Sequence, residues 1–158
     1  MKIIYEGFFI EECEGIKEWL SCKSNKYNEV QGRIVVNPDL YHVTTEFRPE
    51  EPHTKWYGEK VKVSLSLYKP YSEAEDTKTG EKVMVEAFKV QDIITSNSEL
   101  KNYLDTIKKQ FHITISYSRK AVDSNYIDWD KESCNAGIGI TMVFGGYTAD
   151  HKVCTKVN

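Results

Sequence analysis

Two stretches of the chain place a threonine two residues after a histidine. They read YHVTTEF from residue 41 and FHITISY from residue 111, so their histidines lie 112 − 42 = 70 residues apart. Side chains alternate between the two faces of an extended strand, which puts His42 beside Thr44 and His112 beside Thr114. An imidazole, with an ordinary pKa of about 6.5, transfers protons near neutral pH, and a hydroxyl donates a hydrogen bond to a phosphoryl oxygen. Two such pairs suit the cleavage of a phosphodiester without a metal, and either histidine can be the base or the acid.

The same alternation predicts which residues of each stretch face the protein core. Glu46 and Ser116 are expected beside the histidines and threonines. The opposite, apolar face is expected to hold the remaining large side chains: Tyr41, Val43, Phe47, Phe111, Ile113, Ile115 and Tyr117. Two half-buried strands with solvated outer faces would explain one such triplet, but the chain has four histidines and two of them fall in this pattern.

Hydrophobic periodicity predicts the elements that position these strands. Strands are expected at 3–10, with a bulge at Gly7, and at 33–36, 40–47, 61–67, 82–90, 111–117 and 138–144. Helical spacing is found at 11–22 and after a capping box formed by Ser96 and Glu99, while 48–58 and 71–80 are predicted loops. This order predicts an α+β fold with a mainly antiparallel sheet and helices packed outside.

Composition restricts the class of protein. With 158 residues, 40% hydrophobic and 28% charged, the chain is predicted to form one globular domain spanning 1–158. A net charge of −3 argues against binding long nucleic acid over the whole surface, although a small anion in a local basic pocket fits. The four cysteines show no Cys-x-x-Cys spacing, and no apolar run reaches the roughly 20 residues of a membrane helix. We therefore expect a cytoplasmic protein with reduced thiols and no membrane contact.

On its two His-x-Thr motifs the chain resembles the two-histidine (2H) phosphoesterase superfamily. Within it, the chain is most similar to the small phage anti-CBASS nucleases, on chain length, overall layout and the opening MKIIYEGFF. The resemblance implies a two-lobed fold in which mainly antiparallel sheets form a central groove. It also implies a phosphodiesterase without a cofactor or metal, acting on cyclic di- or trinucleotide immune signals in the host cytoplasm. We expect this protein to be a monomer. In that chemistry a ribose 2′-hydroxyl attacks the adjacent 3′–5′ phosphate.

Five further residues are candidates for binding such a substrate. Trp56, Tyr71 and Tyr147 lie in predicted loops or at a strand end, where an aromatic face can stack on a base. Arg48 and Arg119 each follow a motif strand and are placed to meet phosphate charge. Each of the five also fits an ordinary role, as a semi-buried aromatic or a solvated arginine.

Two other functions are compatible with the same residues. One is an RNA 2′,3′-cyclic phosphodiesterase of the same superfamily, which would keep the site and change the substrate. The other is a protein that sequesters nucleotides without cutting them, with the histidines serving as hydrogen-bond partners.

Overall fold

The structure is a computed structural model that describes residues 2–11, 16–22, 30–76, 80–107, 109–118, 129 and 133–156. Its strands and helices, in chain order, are β1 (Ile3–Ile10), α1 (Ile16–Cys22), β2 (Ile34–Val35), β3 (His42–Phe47), β4 (Lys60–Asp76), β5 (Glu81–Ile94), α2 (Ser98–Thr106), β6 (His112–Tyr117), β7 (Cys134–Thr148) and β8 (Val153–Cys154). The α+β class is confirmed, with much sheet and little helix.

All the strands belong to one open, eight-stranded sheet in the order β2-β6-β5-β4-β7-β1-β3, with β8 paired to β7. Every ladder in it is antiparallel, as predicted. The last long strand, β7, lies between β4 and β1 and so joins the first strands of the chain to the rest. The two motif strands, β3 and β6, lie near opposite ends of this order.

One hydrophobic cluster packs against a single face of the sheet. It combines alternating residues of the central strands, such as Val63 on β4 and Met142 on β7, with Leu20 of α1 and Leu100 of α2. The alternation of apolar residues along β4 and β7 explains why these strands bury one face, and the spacing of Leu100 and Leu104 explains why α2 covers it.

Several element bounds differ from the sequence prediction: β5 and β7 extend beyond 82–90 and 138–144 at both ends, and two further differences have a visible cause. Residues 71–76 continue β4 and are not part of a loop, because β4 accommodates an extra residue between Lys69 and Ser72 and then resumes its pairing with β5. Helix α2 is capped by Asn97, whose side chain accepts a hydrogen bond from the amide of Leu100 at 3.0 Å, and not by Ser96.

Among the described residues, no helix combines the length and the apolar character that crossing a bilayer requires.

Candidate functional site

The two His-x-Thr pairs are held by strands whose backs enter one core. Val43 on β3 and Ile113 on β6 are fully buried in the same hydrophobic cluster. His42, Thr44, His112 and Thr114 are half-buried. Because side chains alternate along a strand, both pairs point out of the core that Val43 and Ile113 share.

The chain between β2 and β3 brings the two motif strands together. Strand β2 pairs with the end of β6, and the Val36 amide continues this pairing by donating to the carbonyl of Ile115 at 2.9 Å. A single 3-10 turn, Pro38–Leu40, then redirects the chain into β3. As a result, Cα atoms of β3 and β6 approach within 8 Å, although no hydrogen-bonded ladder joins the two strands in the described part of the chain.

A β-bulge follows the first His-x-Thr pair and reverses the faces of the residues beyond it. Thr44 lies opposite Gly7 and Glu46 lies opposite Glu6, so Thr45 is an extra residue in β3. Since Glu6 and Gly7 are consecutive and face opposite ways, Thr44 and Glu46 do too. Glu46 accordingly lies beside buried Glu6 on the core side. The prediction that Glu46 lies beside His42 and Thr44 was therefore wrong.

Phe47 is also on the face opposite to the predicted one. It lies opposite Tyr5, whose ring stacks on His42 with 4.4 Å between ring centroids. Phe47 is therefore on the histidine face, and 63% of its surface is exposed. The prediction of a core residue failed because the extra residue at Thr45 cannot be read from the hydrophobic alternation.

The second motif has a bulge at the matching place. Thr114 lies opposite Ala87 and Ser116 opposite Glu86, which makes Ile115 the extra residue. Ser116 is fully buried and donates to the Glu86 carboxylate at 2.7 Å, so its predicted place beside His112 was wrong.

Tyr117 is displaced by the same bulge. It lies opposite Val85, which packs with Ala87 in a second, smaller hydrophobic cluster. Since Ala87 is opposite Thr114, Tyr117 faces the same side as the second motif pair and not the main core. The two halves of the site thus repeat the same register, residue for residue, 70 positions apart.

His42 is fixed in one neutral tautomer. Its Nδ1 lies 2.8 Å from the carbonyl oxygen of Leu40, and because a carbonyl only accepts, Nδ1 carries the proton. The Tyr5 hydroxyl oxygen lies 3.4 Å from the same nitrogen. Burial lowers the pKa of His42 below its ordinary value, while the Leu40 carbonyl acts in the opposite direction. His42 therefore presents an unprotonated Nε2 at neutral pH, as a general base requires.

His112 has a different neighbour. Its cross-strand partner is Lys89, whereas the partner of His42 is Phe9. Residues directly opposite in an antiparallel pair share a face, so a cation lies beside the second motif pair. Lys89 was not identified from the sequence, although its place in the alternation of β5 was a usable signal.

Two glycines follow Thr44 across the sheet. Gly7 lies opposite Thr44, and Gly145 lies opposite Gly7 on the next strand. A Cβ at Gly7 would lie 1.9 Å from the carbonyl oxygen of Val43, so no other residue fits there without a shift of the backbone. The Tyr5 ring stacks on His42 with 4.4 Å between ring centroids, and Tyr147 stacks on Tyr5 at 5.1 Å.

The predicted binding residues are dispersed. Tyr147 is half-buried beside the site through Tyr5, and Arg48 is exposed at the end of β3. Trp56 is 6% exposed and packs in the main core, and Tyr71 is 9% exposed with the Arg33 guanidinium 5.7 Å from its ring centre, so neither offers the expected exposed face. Arg119 lies outside the described residues.

A group of potential metal ligands lies on the other face of the sheet. Oxygen and nitrogen atoms of Glu6, Glu46 and His53 come within 4.8 Å of one another. The buried Glu6 carboxylate already accepts from the His53 amide at 2.7 Å, the His53 ring at 2.8 Å and the Tyr57 hydroxyl at 2.7 Å. These hydrogen bonds explain why the Glu6 carboxylate and the His53 ring lie together.

The chain was compared with protein families, curated proteins and solved structures. No family model, no curated protein and no solved structure matches the chain.

Proposed function

We propose that the protein is a metal-independent phosphodiesterase with a 2H phosphoesterase-like arrangement, which opens cyclic di- or trinucleotides. This proposal rests on one observation: the two strands that carry the His-x-Thr motifs approach each other, bury their opposite faces in one core and contain the same bulge. Such a repeat supplies a base, an acid and two hydroxyl donors around one phosphate.

His42 is the base in this scheme, because its Nε2 is unprotonated and burial keeps the ring neutral. Nε2 takes the proton of a ribose 2′-hydroxyl, and the 2′-oxygen forms a bond to the adjacent phosphorus. The bond from phosphorus to the 5′-oxygen breaks, and His112 gives that oxygen a proton. The product is a linear nucleotide with a 2′,3′-cyclic phosphate and a free 5′-hydroxyl.

The remaining residues of the site stabilise charge. Thr44 and Thr114 donate to the two non-bridging oxygens, where negative charge increases in the transition state. Lys89 adds a positive charge on the His112 side. This role suits a small anionic substrate in a chain whose net charge is −3.

The resemblance to phage anti-CBASS nucleases supplies the biological setting. The proposed substrate is then a cyclic-oligonucleotide alarm signal in the cytoplasm of an infected bacterium. Cleavage destroys the signal and lets the phage evade the immune response.

The test is chromatography of a nucleotide panel after incubation with the protein in EDTA. The panel contains cyclic dinucleotides, a cyclic trinucleotide and an RNA oligomer that ends in a 2′,3′-cyclic phosphate. We expect the cyclic oligonucleotides to be opened, and turnover to fall by about 10²–10⁴-fold in His42→Ala and in His112→Ala. Both side chains point away from the core, so circular dichroism should show a retained fold.

His151→Ala is the matched control. Its ring is exposed and lies 3.1 Å from the Tyr147 hydroxyl, on the far side of Tyr147 and Tyr5 from His42, so its activity should stay near the wild-type level. Loss of turnover in EDTA would overturn the metal-independent mechanism. Cleavage of the RNA oligomer alone would assign the RNA-end activity, and recovery of every ligand intact from stoichiometric protein would indicate sequestration.

A further inference from the structure

Each motif stretch ends in an aromatic residue that the bulge turns onto the histidine face. Phe47 lies opposite Tyr5, and Tyr5 stacks on His42. Tyr117 lies opposite Val85, on the side where Ala87 faces Thr114. Phe47 and Tyr117 are thus the matching residues of the two halves.

These two aromatics lie at equal distances from the catalytic threonines. Along β1, Tyr5 is two residues from Gly7, which faces Thr44; along β5, Val85 is two residues from Ala87, which faces Thr114. Two residues of a strand span about 6.6 Å. A base attached to a phosphate between the threonines reaches that far.

The two aromatics follow their motif pairs on strands that run in opposite directions. Five successive antiparallel ladders connect β6 to β3 through the sheet, and an odd number makes these two strands run in opposite directions. Phe47 follows Thr44 along β3, and Tyr117 follows Thr114 along β6. The two rings therefore extend away from the catalytic pairs in opposite directions.

The surroundings of Phe47 suit a stacked base next to a phosphate. Its ring is largely exposed, and the Arg48 guanidinium lies 5.2 Å from the ring centre. Arg48 has a φ of 50°, in the left-handed region that an arginine rarely adopts, and its amide donates to the Ile4 carbonyl at 2.8 Å. This hydrogen bond fixes the Arg48 backbone in that uncommon conformation directly after Phe47.

We propose that Phe47 and Tyr117 each stack on one base of a cyclic dinucleotide, on either side of the phosphate that the two motif pairs hold. The inference rests on the proposed function and narrows its substrate: the cleaved phosphate has a base on both sides. A terminal 2′,3′-cyclic phosphate of RNA has a base on one side and would leave one aromatic unused.

The experiment measures binding of cyclic di-AMP by calorimetry in EDTA, with every protein carrying His112→Ala so that no ligand is consumed. Phe47→Leu and Tyr117→Leu keep apolar bulk and remove the flat ring, so that the fold is preserved. We expect each to weaken binding by about 5–150-fold, which corresponds to the roughly 1–3 kcal/mol that stacking contributes per base. The double variant should show the product of the two effects, because the two sites are separate.

Ile94→Ala controls for loss of an exposed apolar side chain, since Ile94 is 58% exposed at the end of β5. Its binding should equal that of the parent. If either Leu variant binds as tightly as the parent, or if the parent does not bind cyclic di-AMP, the two-base inference is overturned.

Turnover of cyclic di-AMP, measured with His112 intact, separates this inference from the proposed function. If the protein cleaves no nucleotide but both variants bind more weakly, the two base sites are supported and the proposed activity is refuted. If the protein cleaves cyclic di-AMP and both variants have the wild-type KM, the activity is supported and the two base sites are refuted.

Discussion

At the scale of single residues, the environment of His42 sets the pH dependence of the proposed reaction. The base must be neutral, so kcat/KM should fall as pH drops through the pKa of His42. Because burial lowers that pKa, the midpoint of the fall should lie below pH 6.5, the ordinary value. The measurements are the pH profile of kcat/KM for a cyclic dinucleotide and, independently of activity, the NMR titration of the His42 ring.

Tyr5→Ala tests the cause of this shift. The Tyr5 ring covers one side of the imidazole at 4.4 Å, so its removal admits water to His42 and should move the titration toward 6.5. A wild-type titration at or above pH 6.5 would contradict the burial argument and would remove the reason for choosing His42 as the base.

Strand alternation was sufficient to place the four motif side chains on one face, but not the residues after them. The bulge on each strand comes after the motif threonine. The alternation of side chains therefore predicts the correct face for His42, Thr44, His112 and Thr114. Beyond the bulge every assignment reverses, as Phe47 shows. A bulge in the middle of a strand is set by its partner strand, where Glu6 and Gly7 meet β3, and the local sequence of β3 carries no sign of it.

At the scale of elements, Gly7 holds β1 against the first motif strand. A Gly7→Ala variant would put its Cβ 1.9 Å from the Val43 carbonyl oxygen, so one strand must move. We expect a loss of about 1–3 kcal/mol in the free energy of unfolding, the range for overpacked sites, and lower activity because Thr44 faces Gly7. Denaturant titration and turnover measure the two effects.

Gly139 provides the matched control within the same sheet. It lies on β7, has no heavy atom within 4 Å of a Cβ built on it and no positive φ. Gly139→Ala should therefore leave stability unchanged or raise it by about 0.5–1 kcal/mol. Equal stability of the two variants would show that β1 and β3 are less closely packed at the bulge than the structure indicates.

The continuation of β4 beyond Pro70, which the sequence analysis missed, has a physical cause. The polar residues from 71 onward and the turn signal at Thr79-Gly80 predicted a loop there, and Pro70, which lacks an amide hydrogen, is itself typical of a strand end. In the structure, Pro70 falls in the irregular step between Lys69 and Ser72, where the ladder is already interrupted. The strand can then resume, because the missing donor coincides with a position that needs none.

At the scale of the molecule, a buried carboxylate lies beside each of the two motif strands, in matching positions. Glu6 lies at the first bulge and accepts from Tyr57; Glu86 lies at the second and accepts from Tyr68. Glu86 also forms a buried ion pair with Arg33 at 3.0 Å. Each motif strand is thus fixed by a hydrogen-bonded carboxylate on its neighbour, a repeat that became visible once the strand register was known.

The half of the sheet that contains β1 and β3 and the half that contains β4, β5 and β6 are connected through β7, and this connection predicts how the whole protein unfolds. Strand β7 connects β1 to β4, and residues from both halves, such as Phe8 and Phe88, belong to the same core cluster. Neither half keeps a complete core without the other, so thermal unfolding should be a single transition in which the calorimetric and van't Hoff enthalpies agree. Far-ultraviolet circular dichroism and tryptophan fluorescence should give coincident denaturant curves. Two separate transitions would mean that the two halves are independent units, and the approach of β3 to β6 would then depend on docking between them and not on a common core.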